Sequence, residues 1–202
     1  MFNLSDKTFK TLSKIQKVLL VIMAIAATIM WITLVLTAKA LPDYDAKINI
    51  YNFALTSLIF SLAMICGFIY ANKGYSKEAH NYYKAMMCFY ALSVFIPTIV
   101  VFRVFSFNLI ALVAIIQFVL LLILGFGKDL GKKNTWIIFY IVLALELLFS
   151  PALEAIGSAS STAAPISVGY AIPATLARLV ITGILGLCIE AKYRDKDARG
   201  TV

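Results

Sequence analysis

One carboxylate, Glu146, stands in the middle of the apolar segment YIVLALELLFSP at residues 140–151. Ser150 and Glu154 follow it at intervals of four residues, so the three side chains share one face of a helix. A charged side chain at the centre of a membrane helix costs about 2.5–3.5 kcal/mol on insertion scales, and such groups usually pair or face a polar cavity. The pattern therefore predicts an intramembrane ion pair or the wall of a binding site.

Arg178 is the predicted partner of these carboxylates. It lies in the last apolar segment, about two helical turns below the outer membrane surface if both termini face the cytoplasm. Thr182 and Glu190 continue its row at multiples of four residues, and Arg103 closes the third apolar segment at the same outer level. Because a lone arginine at this depth is expensive, we expect it to meet Glu146 or Glu154 from the neighbouring antiparallel helix.

Further polar residues and the prolines concentrate toward the same outer ends. Asn52 lies in the outer half of the second apolar segment and Gln117 near the middle of the fourth, while all five prolines fall in outer halves or connections. Irregular backbone at membrane depth is tolerated where protein or a water-filled cavity covers it. We therefore predict an outward-facing polar cavity whose ligand-binding residues are Glu146, Arg178, Glu154, Arg103, Asn52 and Gln117.

The alternative interpretation of these residues is structural. A Glu–Arg pair between two helices can serve only to fix their register, because interhelical polar contacts measured in membranes contribute about 0.6 kcal/mol on average. On this interpretation the same side chains bind nothing.

Motifs for nucleotide, metal or covalent chemistry are absent from the sequence. There is no P-loop, GxGxxG or HExxH motif, and Cys66, Cys88 and Cys188 have no metal-ligand spacing. The one histidine, His80, is eight residues from Cys88, or about 12 Å along a straight helix, which is too far for a nucleophile–base pair. We predict no catalytic residue, no metal and no cofactor, and an intramembrane enzyme is disfavoured because no nucleophile–base pair can be placed.

The composition indicates an integral membrane protein. Of 202 residues, 62% are apolar, against about 45–50% in soluble domains, and the mean hydropathy is +0.92. A spanning helix needs about 20 mostly apolar residues, and runs of this length without alternation exclude a β-barrel. The predicted fold is an all-α membrane bundle of six transmembrane helices, at residues 18–38, 48–71, 85–104, 108–127, 135–156 and 171–191.

The distribution of basic residues orients these spans. With the N-terminus inside, 14 of the 18 basic residues fall on the cytoplasmic side: Lys7, Lys10, Lys14, Lys17, Lys73, Lys77, Lys84, Lys128, Lys132, Lys133, Lys192, Arg194, Lys196 and Arg199. This bias places both termini in the cytoplasm. It also explains most of the net charge of +8 without nucleic acid as a partner. Short connections in a compact chain favour the bacterial cytoplasmic (inner) membrane.

The ends of the chain are predicted to be separate units. At 100° per residue, the lysines of residues 2–17 cluster opposite Phe2, Phe9, Leu12 and Ile15, with Ser5 as the N-cap. We therefore divide the chain into an amphipathic helix on the inner leaflet at 1–17, held by anionic headgroups, the six-helix domain at 18–191, and a basic cytoplasmic tail at 192–202.

Two functions remain open at this stage. The first is binding or conduction of a small polar solute or ion through the outer cavity. In size, span count and orientation the whole chain resembles the substrate-binding subunits of energy-coupling-factor vitamin transporters, and this architectural resemblance implies a partner membrane subunit. The second is a non-catalytic membrane scaffold, interaction or assembly subunit whose ion pairs are structural.

Overall fold

The structure is a computed structural model that describes the backbone of residues 4–73, 76–105, 109–127, 130–160 and 168–199. Side chains are described for 4–73, 76–97, 112–127, 130–147 and 179–194. These residues form six α-helices, α1 (Asp6–Ala40), α2 (Tyr44–Asn72), α3 (His80–Phe105), α4 (Leu109–Phe126), α5 (Gly131–Ser160) and α6 (Val168–Arg199), with a 3-10 turn at Lys77–Ala79 before α3. The described residues contain no strand, so the all-α prediction is confirmed.

Local sequence signals explain where several helices begin. Ser5 Oγ accepts a hydrogen bond from the Thr8 N–H at 3.2 Å, as expected of the N-cap of α1. Asp43 Oδ2 accepts one from the Ala46 N–H at 3.0 Å and caps α2 directly after Pro42. Gly131 starts α5 with φ 63°, a left-handed conformation that a residue without Cβ adopts at little cost.

Helices α1 and α6 continue without a break across two of the predicted domain boundaries. The segment predicted at 2–17 and the span predicted at 18–38 belong to one continuous helix, α1, of 35 residues. At 1.5 Å per residue this helix is about 52 Å long, against about 30 Å for the hydrocarbon core of a bilayer. The predicted tail likewise continues α6 as far as Arg199.

Helices that follow one another in sequence pack against one another, and α1 also contacts α6. We call inner end the end that holds the start of α1, the α2–α3 and α4–α5 connections and the end of α6; the sequence predicts that it faces the cytoplasm. Much of the buried core lies toward this end, where Leu20, Met64, Tyr83 and Ile189 are fully buried.

A glycine permits the close approach of three helices in this core. A Cβ at Gly67 of α2 would lie 2.8 Å from Met86 Sδ of α3 and 3.1 Å from Leu20 Cδ2 of α1. Both distances are shorter than ordinary van der Waals contact, so a larger residue would force these side chains apart.

Among the described residues, α1 and α2 are each long and apolar enough to cross a membrane, and Leu112–Phe126 of α4 is a shorter apolar helix. In the apolar 18-residue stretch of α1 that could cross a membrane, only 11% of the residues are buried. Its side chains Ile22, Ile25 and Ile29 are each more than half exposed. An apolar surface of this extent on a protein marks contact with a membrane or with another protein.

Candidate functional site: a buried carboxylate shared by three helices

Glu146 of α5 is buried, with 7% of its surface exposed. The Tyr90 hydroxyl of α3 donates a hydrogen bond to Glu146 Oε1 at 2.6 Å. The Thr182 hydroxyl of α6 donates to Glu146 Oε2 at 3.5 Å. One carboxylate therefore joins three helices that are distant in sequence, and we refer to Glu146, Tyr90 and Thr182 as the carboxylate cluster.

Helix geometry gives the distance of this cluster from the start of α5. Glu146 comes ten residues after Trp136, which corresponds to about 15 Å along α5. In a bilayer with a hydrocarbon core of about 30 Å, this distance places the carboxylate near the middle if Trp136 lies at the inner surface. A carboxylate that is buried in protein needs hydrogen-bond donors, and the hydroxyls of Tyr90 and Thr182 are two such donors.

The two hydroxyl contacts differ in strength. At 2.6 Å the Tyr90 bond is in the range of charge-assisted O–H···O bonds. The Thr182 bond, at 3.5 Å, is beyond the usual distance and correspondingly weak. Each carboxylate oxygen has two lone pairs, so a single oxygen can accept hydrogen bonds from more than one donor. The cluster can therefore hold a cation, a proton or an N–H or O–H group of a solute.

The structure brings together only part of the predicted site. Of the six predicted ligand-binding residues, only Glu146 belongs to the carboxylate cluster. Its partner Thr182 was not among the six, and Arg178 occupies the position one helical turn before Thr182 on α6. The side chains of Arg178, Glu154 and Arg103 lie outside the described residues, so their predicted pairing stays a prediction.

The two predicted amides stand apart from the carboxylate cluster. Gln117 of α4 is buried, with 7% of its surface exposed, whereas Asn52 of α2 is half-buried. Within the described part of the chain neither side chain is hydrogen-bonded to Glu146; the contact at Asn52 is through its backbone carbonyl, which accepts from Thr56 Oγ1 at 2.9 Å.

Tyr90 was missed by the sequence analysis, which counted it among the apolar residues of the third span. It is the one tyrosine in residues 85–104. The hydroxyl of a buried tyrosine usually finds a hydrogen-bond partner. A phenol inside an apolar span is therefore the signal that would have pointed to a polar partner on another helix.

A second polar cluster ties helices together at the inner end. Glu190 of α6, 2% exposed, lies 3.6 Å from Lys132 Nζ of α5 and 3.2 Å from Arg194 Nε. Arg194 also pairs with Asp6 and donates to the Leu4 carbonyl at the start of α1. In the sequence, Glu190 follows Arg178 at a multiple of four residues. Through Lys132 and Arg194 it connects α6 to α5 and to the start of α1.

Several tyrosines pack beside this second polar cluster. The Tyr83 hydroxyl donates to the Leu124 carbonyl at 3.0 Å, and Lys192 Nζ lies 5.1 Å from the centre of the Tyr83 ring. Tyr193 is hydrogen-bonded to Thr135. Burial raises the pKa of Tyr83, which precedes the third predicted span, well above its ordinary value, and the neighbouring Cys188, Tyr70 and Tyr193 raise it further. Tyr83 is therefore a neutral phenol over the physiological pH range.

Residues that could support metal chemistry are scattered. In the part of the chain that the structure describes, no three histidine, cysteine or acidic side chains are close enough to hold a metal ion. The cysteines are free thiols, and Cys188 accepts a hydrogen bond from Gln16 Nε2 at 3.0 Å.

Comparison of the chain with family models, with curated proteins and with solved structures finds no match.

Proposed function

We propose that this chain is a multi-pass membrane protein that binds a small polar solute or ion at Glu146, through a cavity open to the outer side. The observation that carries the proposal is the carboxylate cluster, a buried acid at mid-helix whose partners come from two other helices. Within this proposal, both termini face the cytoplasm and all six helices cross the bacterial inner membrane.

The cost of burying a carboxylate favours a role in binding over one in stability alone. Replacing buried ionic groups by well-packed apolar residues is often neutral or stabilising, so three helices do not need an acid to pack. Ionisable residues within membrane helices typically line the path of a solute or ion. A solute carrying an N–H donor or a cation would displace Thr182 from Oε2 and leave the shorter Tyr90 bond in place.

The apolar surface supports the membrane placement. The exposed side chains of α1 include Val18, Ile25 and Leu36, which are 56–60% exposed. Large apolar residues are also exposed on α2, α4 and α5, for example Phe53, Val119 and Ile137. Lipid would cover these surfaces without a change in the helices.

A screen for ligand-induced stabilisation tests the binding proposal. The purified protein is heated in detergent with vitamins, amino acids, nucleobases and monovalent and divalent cations, beside the variants Glu146→Gln and Arg178→Gln and the exposed control Glu78→Gln. A ligand at 100 times its dissociation constant should stabilise the wild type by about 2.7 kcal/mol. The effect should be lost in Glu146→Gln and kept in Glu78→Gln.

The alternative is a non-catalytic membrane scaffold or assembly subunit, in which the carboxylate cluster is structural. It is favoured by the observation that each oxygen of Glu146 already has a hydroxyl partner. If no compound in the screen stabilises the wild type, and Glu146→Gln is merely less stable than the wild type, this alternative is supported and the binding proposal is refuted.

The membrane topology has its own test. Cysteines are introduced one at a time by Lys133→Cys, at the inner end, and by Asp45→Cys, at the opposite end, both at exposed positions. In intact cells a membrane-impermeant thiol reagent should label only the second variant. Labelling of the first variant in intact cells would contradict the proposed orientation.

A further inference from the structure

An apolar groove of about 330 Å³ runs between α1 and α2. Its walls are mainly aliphatic and aromatic and include Val21, Ala24, Ile25 and Ile29 of α1 and Ile65 and Phe68 of α2. The volume is at the lower end of the range for ligand pockets in proteins. A groove with such walls suits an extended hydrocarbon chain.

The one hydroxyl in the wall is already used within the protein. Thr28 Oγ1 donates to the Ala24 carbonyl at 2.8 Å and is hydrogen-bonded to Ser61 Oγ at 2.8 Å. The single proton of the Ser61 hydroxyl has two acceptors within reach, Thr28 Oγ1 and the Ala24 carbonyl at 3.1 Å. These bonds hold α1 against α2 at the floor of the groove, and the groove therefore offers its occupant little but apolar contact.

Lysines continue the groove toward the inner end. Lys10, Lys14 and Lys17 precede Val21 at intervals of three or four residues, so they stand on the same face of α1 as the groove wall. This alignment exists only because α1 is continuous from Asp6 to Ala40. Lys14 is exposed and Lys17 half-buried, and neither forms an ion pair with any described residue.

The start of α1 is fixed in this direction by its contacts. Arg194 of α6 binds both Asp6 and the Leu4 carbonyl. The basic segment therefore belongs to the same helix as the first predicted span, and in the proposed membrane placement it leads out of the bilayer on the inner side. With the span starting at residue 18, Lys17 lies at the edge of the hydrocarbon and Lys14 about 5 Å farther out, at the depth of lipid phosphates.

We infer that the groove and these two lysines form a binding site for an anionic phospholipid of the inner leaflet. One acyl chain lies in the groove, and the phosphate lies between Lys14 and Lys17. The inference rests on the membrane placement given under Proposed function and does not depend on Glu146. Each lysine near the membrane surface should raise the affinity for an anionic headgroup about fivefold. The two lysines together should therefore favour an anionic over a zwitterionic lipid about 25-fold in affinity.

Retention of lipid by the purified protein, measured by native mass spectrometry, tests the site. Wild-type protein in neutral detergent is titrated with phosphatidylglycerol or with phosphatidylcholine of the same acyl chains. The variant Lys14→Gln/Lys17→Gln should bind both lipids alike, with phosphatidylglycerol weakened about 25-fold. Its matched control, Lys77→Gln/Lys133→Gln, removes the same charge from exposed positions elsewhere at the inner end and should keep the preference.

The apolar part of the site is tested by blocking the groove. Ile25→Trp fills it and should weaken both lipids, whereas Ile22→Trp, on a residue of α1 that is equally exposed but outside the groove wall, should bind them as the wild type does. Any of three results would overturn the inference. The wild type binds the two lipids with equal affinity, the two double lysine variants lose the same affinity for phosphatidylglycerol, or Ile25→Trp leaves lipid binding unchanged. A dimer that Ile25→Trp dissociates would assign the groove to a second copy of the chain instead.

One further variant separates this inference from the proposed function. Glu146→Gln should lose solute binding and keep the preference for phosphatidylglycerol, because the groove does not include Glu146. Loss of the lipid preference in Glu146→Gln would show that the variant is globally disturbed and would contradict two independent sites.

Discussion

Replacing Tyr90 by phenylalanine removes one oxygen from the molecule and leaves the ring in place. That oxygen donates the 2.6 Å hydrogen bond to Glu146 Oε1, whereas the Thr182 hydroxyl is 3.5 Å from the other carboxylate oxygen. Hydrogen bonds to charged groups contribute about 1.5–3 kcal/mol in soluble proteins. Interhelical bonds measured in a membrane average about 0.6 kcal/mol and reach about 1.7 kcal/mol.

The short distance and the buried carboxylate place this bond at the upper end of the membrane range. We therefore expect Tyr90→Phe to lower the free energy of unfolding by about 1.5 kcal/mol. Reversible unfolding in mixed micelles of a mild and a denaturing detergent measures this difference. Tyr140→Phe, on a tyrosine of α5 that is 38% exposed, is the matched control and should change stability by less than about 0.5 kcal/mol.

A double-mutant cycle shows whether the cost arises at Glu146. In a Glu146→Leu background the Tyr90 hydroxyl has lost its carboxylate acceptor, so Tyr90→Phe should cost nothing there or stabilise the protein. The coupling energy should be about 1.5 kcal/mol, well above the deviation from additivity of about 0.3–0.5 kcal/mol for independent sites. An equal cost of Tyr90→Phe in both backgrounds would refute the hydrogen bond as the link between α3 and α5.

Three other changes should act at the inner end or on the packing beside it. Gly67→Ala would place a Cβ 2.8 Å from the sulfur of the flexible Met86 side chain, and its overpacking, offset in part by the helix propensity of Ala, should cost up to about 2 kcal/mol in thermal unfolding, whereas Gly183→Ala, with nothing within 4 Å, should be neutral or slightly stabilising. Arg194→Gln leaves a buried carboxylate with one cation fewer and should cost about 3 kcal/mol, while Asp6→Asn, at an 89% exposed side chain, should cost less than about 1 kcal/mol in the same assay. Because burial raises the pKa of Tyr83, the stability that its neutral form provides should be complete below about pH 10 and decline above it, and Tyr83→Phe should flatten that alkaline decline in unfolding midpoints measured against pH.

The helices could be predicted because their apolar runs are long. A run such as residues 18–36 has no other way to satisfy its backbone in a membrane, so its length alone indicates a helix. The length of an apolar run shows that a helix can cross the hydrocarbon core of a bilayer, but it says little about where that helix begins or ends. The start of α1 at Asp6 follows from the Ser5 N-cap, whereas the continuation of α6 to Arg199 lies in polar sequence that the length criterion does not cover.

The candidate site could be predicted only in part, because a side chain's partner depends on how helices pack. Glu146 stands out in the sequence because a charge in an apolar run is conspicuous, whereas Thr182 was placed in the row of Arg178 without being assigned to the site. Tyr90 is as hydrophobic as its neighbours by composition, and only the approach of α3 to α5 reveals its role. Glu190 was placed in the same row, yet its partners Lys132 and Arg194 are at the inner end.

The packing of the inner end has a consequence for how fast a bound solute could move. Glu146 comes 15 residues after Gly131 on α5, or about 22 Å along the helix. The helices around this stretch are joined by hydrogen bonds such as those of Tyr83 with Leu124 and of Tyr193 with Thr135. An ion stripped of water cannot cross such a layer at diffusional speed. Passage would require helices to separate, a collective motion on the microsecond-to-millisecond scale. A protein of this kind would work as a receptor or as a slow carrier, and single-channel currents are not expected from it.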